Sequence, residues 1–160
     1  MKISIIYNSY SGNTRTIGEE IKNACKGELI EVRSKNKYSK MMAYTLGCYR
    51  AAKEQCDPIE PETIDVSSFD CIVLGTPVWA GKATPAINGA VAALKGCEGK
   101  KAFIYATCGK TGEDALRILK TMLTARGITV TGEWEFKKAD ITKGQKIKAF
   151  ISDINASGVV

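Results

Sequence analysis

Ser9, Ser11 and Thr14 place three hydroxyls within six residues, interleaved with Tyr10, Gly12 and Asn13 and with no acidic side chain among them. Such a set can hold a phosphate: the hydroxyls donate hydrogen bonds, and Gly12 lets the backbone approach closely or turn with positive φ. Its setting matters as much as its composition. Ile3, Ile5 and Ile6 form a short β-branched strand within Lys2 to Tyr7, and Ile17, Ile21 and Ala24 recur at helical spacing from a start near Thr14. The loop therefore lies at a helix N-terminus, where the first N–H groups have no intrahelical partners and the dipole is positive, so an anion is stabilised without a lysine. Ser, Thr and Asn are also ordinary helix caps, and from this segment alone the two readings stand level.

Two more loops carry chemistry. Thr76-Pro77-Val78-Trp79-Ala80-Gly81-Lys82 follows an apolar strand over Asp70 to Thr76, and its indole asks for a planar aromatic ligand. Thr107-Cys108-Gly109-Lys110-Thr111-Gly112 follows a strand over Lys101 to Thr107, and its two glycines can bring backbone N–H groups against the carbonyls and ring nitrogens of a heterocycle. Singly these loops read as a cap, an exposed tryptophan and a glycine-rich turn. Together they point to flavin mononucleotide (FMN), with Lys82 and Lys110 stabilising the reduced anion. Cys108 is either a small residue lining the ring or a reactive thiol, and reactivity needs a depressed pKa. Trp134, within the run Glu133 to Phe136, is read as core or edge packing.

The elements that position these loops alternate. Strand patterns at Lys2 to Tyr7, Glu28 to Arg33, Asp70 to Thr76, Lys101 to Thr107 and Ile128 to Phe136 are separated by helical patterns, including Ala83 to Leu94, Glu113 to Arg126 and Lys143 to Ile154. Strand-helix alternation predicts an α/β fold with a parallel sheet covered on both faces. Cys71 to Leu74 and Ala102 to Ala106 are continuously apolar, as central strands require. The connection from Ser34 to Ser68 is too long for a bare loop. Tyr38, Met41, Met42, Thr45, Leu46 and Tyr49 predict a helix from Ser39 to Lys53, followed by an extended Asp57 to Pro61 segment. That stripe either packs on the domain or stays exposed to cover a ligand or form a dimer.

Ser9 to Thr14 match the [ST]-x-[ST]-G-x-T phosphate loop of the flavodoxins and flavodoxin-like FMN proteins. Gly75-Thr76-Pro77-Val78-Trp79 is similar to their first ring-contact loop, and Ala106-Thr107-Cys108-Gly109 to the second in a short-chain branch. Nearly the whole chain resembles that family. The resemblance implies a three-layer sandwich with five parallel strands ordered 2-1-3-4-5, and a ligand at the carboxyl ends where strand order reverses, as FMN lies in flavodoxin itself. It further implies that Ser9, Tyr10, Ser11, Gly12, Asn13 and Thr14 wrap the phosphate. Thr76, Pro77, Val78, Trp79, Ala80 and Gly81 then flank the ring, with Thr107, Cys108, Gly109, Lys110 and Gly112 at its other side or edge. Many flavodoxins carry a tyrosine in the second ring loop and gather acidic residues around the flavin, whereas this chain has Cys108, Lys110 and Lys82 there.

Composition narrows the function. The 160 residues and 44% hydrophobic content suit one domain, residues 1–160. A net charge of +6 comes from scattered lysines rather than a basic, aromatic-interleaved run, which argues against nucleic acid and for acidic protein partners. The six cysteines form no CxxC pair and histidine is absent, so no metal site and no Ser-His or Cys-His nucleophile is expected, and free thiols fit the cytoplasm. No apolar stretch approaches membrane-spanning length. Neither Gly75 to Ala83 nor Ile104 to Thr111 completes a Walker A loop, and Asn8, Ser9, Thr76 and Pro77 stand where a phosphate-receiver domain needs carboxylates. The leading expectation is a single-electron carrier between redox proteins of the ferredoxin or reductase type, with no catalytic side chain, as a monomer or homodimer. An NAD(P)H-dependent FMN or quinone reductase is the enzyme alternative, and a flavin-free interaction module the third class.

Overall fold

Alternating side chains divide the sheet between two cores. The computed structural model describes residues 1–158. Strands β1 (Ile3–Tyr7), β2 (Glu28–Glu31), β3 (Cys71–Trp79), β4 (Lys101–Thr107) and β5 (Thr129–Phe136) pair in parallel in the order 2-1-3-4-5. A two-residue strand, Lys82–Ala83, turns back antiparallel on the end of β3. Helices α1 (Asn13–Cys25) and α6 (Gln145–Ser157) cover one face, burying Ile17, Ile21, Ile147, Phe150 and Ile154 against Ile3, Ile5, Cys71, Val73, Phe103 and Tyr105. Helices α3 (Pro85–Ala93) and α4 (Glu113–Ala125) cover the other, burying Ile87, Val91, Leu116, Leu119 and Leu123 against Ile6, Ile72, Leu74, Ala102 and Ile104. The period of two along each strand produces this division.

Between β2 and β3 lies α2, a continuous helical run of Lys40–Met42, Ala43–Gly47 and Cys48–Ala52 whose central segment is a π turn, closed by the Cys48 amide donating to the Ala43 carbonyl. Ser39 caps it, its Oγ accepting from the Met42 amide at 3.2 Å. The expected apolar stripe does not pack on the domain. Met41, Met42, Tyr44, Leu46 and Tyr49 are all exposed, while Ala43, Gly47 and Ala51, four residues apart, face inward.

Other boundaries move for local reasons. β3 runs through Trp79 because Val78 and Trp79 pair with Ala83 and Lys82. The expected helix at Ala83 begins at Pro85, with the Thr84 hydroxyl as cap. The helix expected from Lys143 begins at Gln145 as α6, after Gly144 at φ 73°, and a separate short helix, α5 (Lys138–Lys143), precedes it where none was expected. Ala24, assigned to the apolar face of α1, is exposed. No helix among the described residues is long and apolar enough to cross a membrane.

Candidate functional site

Parallel pairing brings the three loops together. Tyr7 stands opposite Gly75 and Pro77 opposite Thr107, so the chain leaves β1, β3 and β4 along one edge of the sheet. Thr14 Oγ1 and Thr107 Oγ1 are 2.8 Å apart and share a buried hydrogen bond, fastening the first loop to the third. The Tyr105 hydroxyl, also buried, donates to the Thr14 carbonyl at 2.9 Å. The Thr84 hydroxyl donates to Asn8 Oδ1 at 3.0 Å, fixing the β1 end to the start of α3.

The first loop is open to an anion. Gly12 takes the N-cap position of α1 at φ 96°, where an L side chain is strained, no cap side chain bonds the first turn from that position, and the first turn carries no acidic residue. Ser9 Oγ accepts from the Gly12 amide at 3.2 Å and the Arg15 amide at 3.3 Å, which leaves its own proton free to donate. The other first-turn amides have no intrahelical carbonyl to meet. This arrangement fits a phosphate, with Ser9 also capping two of the loop's amides.

Beside the loop is a cavity of about 580 Å³, within the roughly 300–1,000 Å³ range of small-molecule sites. Of the residues assigned to the cofactor, Tyr10, Ser11, Asn13, Pro77, Val78, Trp79, Ala80, Thr107, Cys108 and Gly109 line it. Trp79 is held edge-on by Tyr10 and Tyr38, with ring centroids 5.7 and 5.6 Å away, and its six-membered ring lies against the Gly47 backbone, where an added Cβ would sit 2.7 Å from it. Tyr38 is itself tethered, its hydroxyl donating at 2.7 Å to Asp57, a buried carboxylate that also accepts from Ser34, Asn36 and Arg50.

Several assigned residues have other duties. Thr76 is buried, its hydroxyl donating to the Pro77 carbonyl and accepting from the Thr84 amide, so its proton is not free for a ligand. The Gly112 amide donates to Glu135 Oε2 at 2.6 Å and the Cys108 amide to the Phe136 carbonyl at 3.0 Å, which withdraws two of the backbone donors expected from the second ring loop. Gly81, at φ 77°, makes a tight turn with Ala80, at φ 50°. Neither Ser9, which lines a smaller cavity alongside, nor Gly12, Thr14, Thr76, Gly81, Lys110, Gly112 or Lys82 lines the main cavity. Its cations are instead Lys40, from α2, and Lys138, from α5, and no carboxylate lines it. Ala43, Tyr44, Cys48, Phe136 and Ile141 complete the wall and were not anticipated. The small-residue row Ala43, Gly47, Ala51 was the signal that α2 lies close to the body. Burial, then the charge and hydrogen bonding of Glu135, pushes the Cys108 thiol up to about 11, which makes it a lining residue rather than a nucleophile. Trp134 packs with Phe136 and Phe150, as expected.

With the site assembled, comparison becomes informative. The family model described as NADPH-dependent FMN reductase matches residues 1–140. The chain belongs to that family. The cofactor expected from the loops, FMN, is the flavin of this family. Among solved structures, a flavoprotein in complex with FMN from Lactobacillus acidophilus is 22% identical, with 89% of this chain and 97% of that one covered and a TM-score of 0.71. Oxidised flavodoxin 2 from Bacillus cereus is 21% identical over 98% and 99% of the two chains, with a TM-score of 0.65. Two-electron reduced flavodoxin from Megasphaera elsdenii is 18% identical over 94% and 96%, with a TM-score of 0.60. These likenesses establish a flavodoxin-like fold. No curated protein matches the sequence.

Proposed function

We propose that this family member is an FMN-bound reductase that draws an electron pair from NADPH, and that the flavin occupies the cavity between the β1, β3 and β4 loops. FMN, when bound, supplies the redox chemistry, taking a hydride from the nucleotide and passing both electrons to an acceptor such as a free flavin or a quinone. The protein's residues hold and tune it. Ser9, Ser11 and the first-turn amides of α1 seat the phosphate. Trp79 flanks the ring on one side, and Thr107 to Gly109 lie at the other. Lys40, Tyr44 and Cys48 of α2 cover it.

One observation carries the choice of enzyme over carrier: Lys40 and Lys138 line the cavity and no carboxylate does. Cations beside the ring stabilise the anionic, fully reduced flavin, raising the second electron's potential towards the first and favouring electrons taken in pairs. Single-electron carriage at low potential asks for the opposite charge. The carrier is kept as a second reading because Met41, Tyr44, Leu46 and Tyr49 form an exposed apolar patch near the cavity, and a chain of net charge +6 suits an acidic partner. Six free cysteines fit work in the cytoplasm.

Anaerobic mixing of the FMN-loaded protein with NADPH tests the proposal. The reductase bleaches its oxidised-flavin absorbance within seconds and turns over menadione with no added reductase. A flavin that stays oxidised under NADPH but is reduced by ferredoxin identifies the carrier instead.

A further inference from the structure

A second cavity, of about 350 Å³, abuts the first, and Tyr10 and Trp79 alone line both. Its polar wall is cationic. Arg15, Arg33 and Lys37 face it against the carboxylate of Glu31, three positive charges to one negative, or +2. The other carboxylate in the wall, Asp57, is neutralised by Arg50 at 2.8 Å and satisfied by Tyr38, Ser34 and Asn36. Glu31 bonds both arginines, Arg15 through Oε1 and Arg33 through Oε2 at 2.9 Å, so two guanidinium groups are held at one cavity edge. Arg33 nevertheless remains 72% exposed and Arg15 42%, leaving N–H donors turned to solvent. Paired guanidinium groups beside a free ammonium make a phosphate seat, since the planar fork matches two phosphate oxygens.

We infer that this second cavity receives the phosphate-bearing nucleoside end of the reducing dinucleotide, with Arg33 and Lys37 contacting its 2′-phosphate. The inference rests on the reductase reading and extends it to the choice between NADPH and NADH. The shared wall supplies the geometric reason: a ligand with its reacting ring in the flavin cavity needs only to cross Tyr10 for its other end to enter the second. Tyr10, 48% exposed, offers a flat surface at that crossing. Flavin phosphate is the competing occupant: Ser9 lines this second cavity, but Ser11 and Asn13, the other polar residues of the phosphate loop that reach a cavity, line the first.

The test uses FMN-loaded protein and two probes, 2′,5′-ADP and 5′-AMP, measured by calorimetry. The wild type is expected to bind 2′,5′-ADP about tenfold more tightly than 5′-AMP, a preference that Arg33→Gln with Lys37→Gln abolishes. In the same double variant the ratio of kcat/KM for NADPH to that for NADH falls by about tenfold, chiefly through the KM for NADPH. Both side chains are exposed, so the variant keeps the core intact. Equal binding of the two probes by the wild type, or a preference that survives the double substitution, overturns the inference while leaving a reductase that oxidises NADPH in place. Failure of NADPH to reduce the flavin at all sinks the reductase reading itself, and the probe titration still reports separately on the cavity.

Discussion

Gly75 lies against the hydroxyl end of Tyr105, and a Cβ there would sit 2.1 Å from the tyrosine Cζ. That ring cannot simply swing aside, because its hydroxyl holds the Thr14 carbonyl at the first turn of α1. Gly75→Ala is therefore expected to cost about 3 kcal/mol of stability by overpacking, measured by urea unfolding. It should also weaken FMN binding, read from flavin fluorescence quenching, because the phosphate loop is displaced with the tyrosine. Cys108 gives a prediction of the opposite kind. With its thiol pushed up to about 11, chiefly by burial, the thiolate fraction at pH 8 is on the order of a thousandth, so iodoacetamide labelling followed by mass spectrometry should be slow at pH 8 and accelerate towards pH 11. Rapid labelling near neutrality would restore the nucleophile reading.

At the scale of elements, α2 is the most informative because its apolar stripe and its buried face differ. Large side chains at 41, 42, 44, 46 and 49 point outward, and the contact with Trp79 is made through Gly47, which has no side chain. Placing a methyl there pushes α2 away from the indole. Gly47→Ala should change the near-ultraviolet circular dichroism of Trp79 and lower FMN affinity about tenfold, with only about 1 kcal/mol lost in global stability, since α2 lies outside both cores. An unchanged indole signal would show that α2 does not set the cavity wall. The strand β1 carries a different anomaly: Ser4 Oγ is buried and, among the described residues, has no hydrogen-bond partner. Ser4→Ala removes an unsatisfied hydroxyl and should raise stability by about 1 kcal/mol in denaturant titration.

Across the whole molecule, charge sets the chemistry as geometry sets the site. Lys40→Gln and Lys138→Gln should each lower the potential of the fully reduced couple, by about 30 mV or 1.4 kcal/mol for two electrons, in a spectroelectrochemical titration, less as salt is added. Lys82→Gln and Lys110→Gln, whose side chains do not line the cavity, should leave it nearly unmoved. The parallel sheet and the three loops were legible in one dimension, and the strand order followed from the resemblance those loops bear to the flavodoxins. Periodicity is a local property, and each buried strand announces itself by unbroken apolar runs such as Cys71 to Leu74. Which cations line the cavity was not legible, because Lys40 and Lys138 reach it from α2 and from the start of α5, far from the loops in sequence. Nor was the withdrawal of the Thr76 hydroxyl and the Gly112 amide, since a polar group's availability depends on the partner that folding brings, Thr84 in one case and Glu135 in the other. Local pattern thus decides which elements form and where a ligand must lie; long-range packing decides which of the nearby groups remain free to hold it.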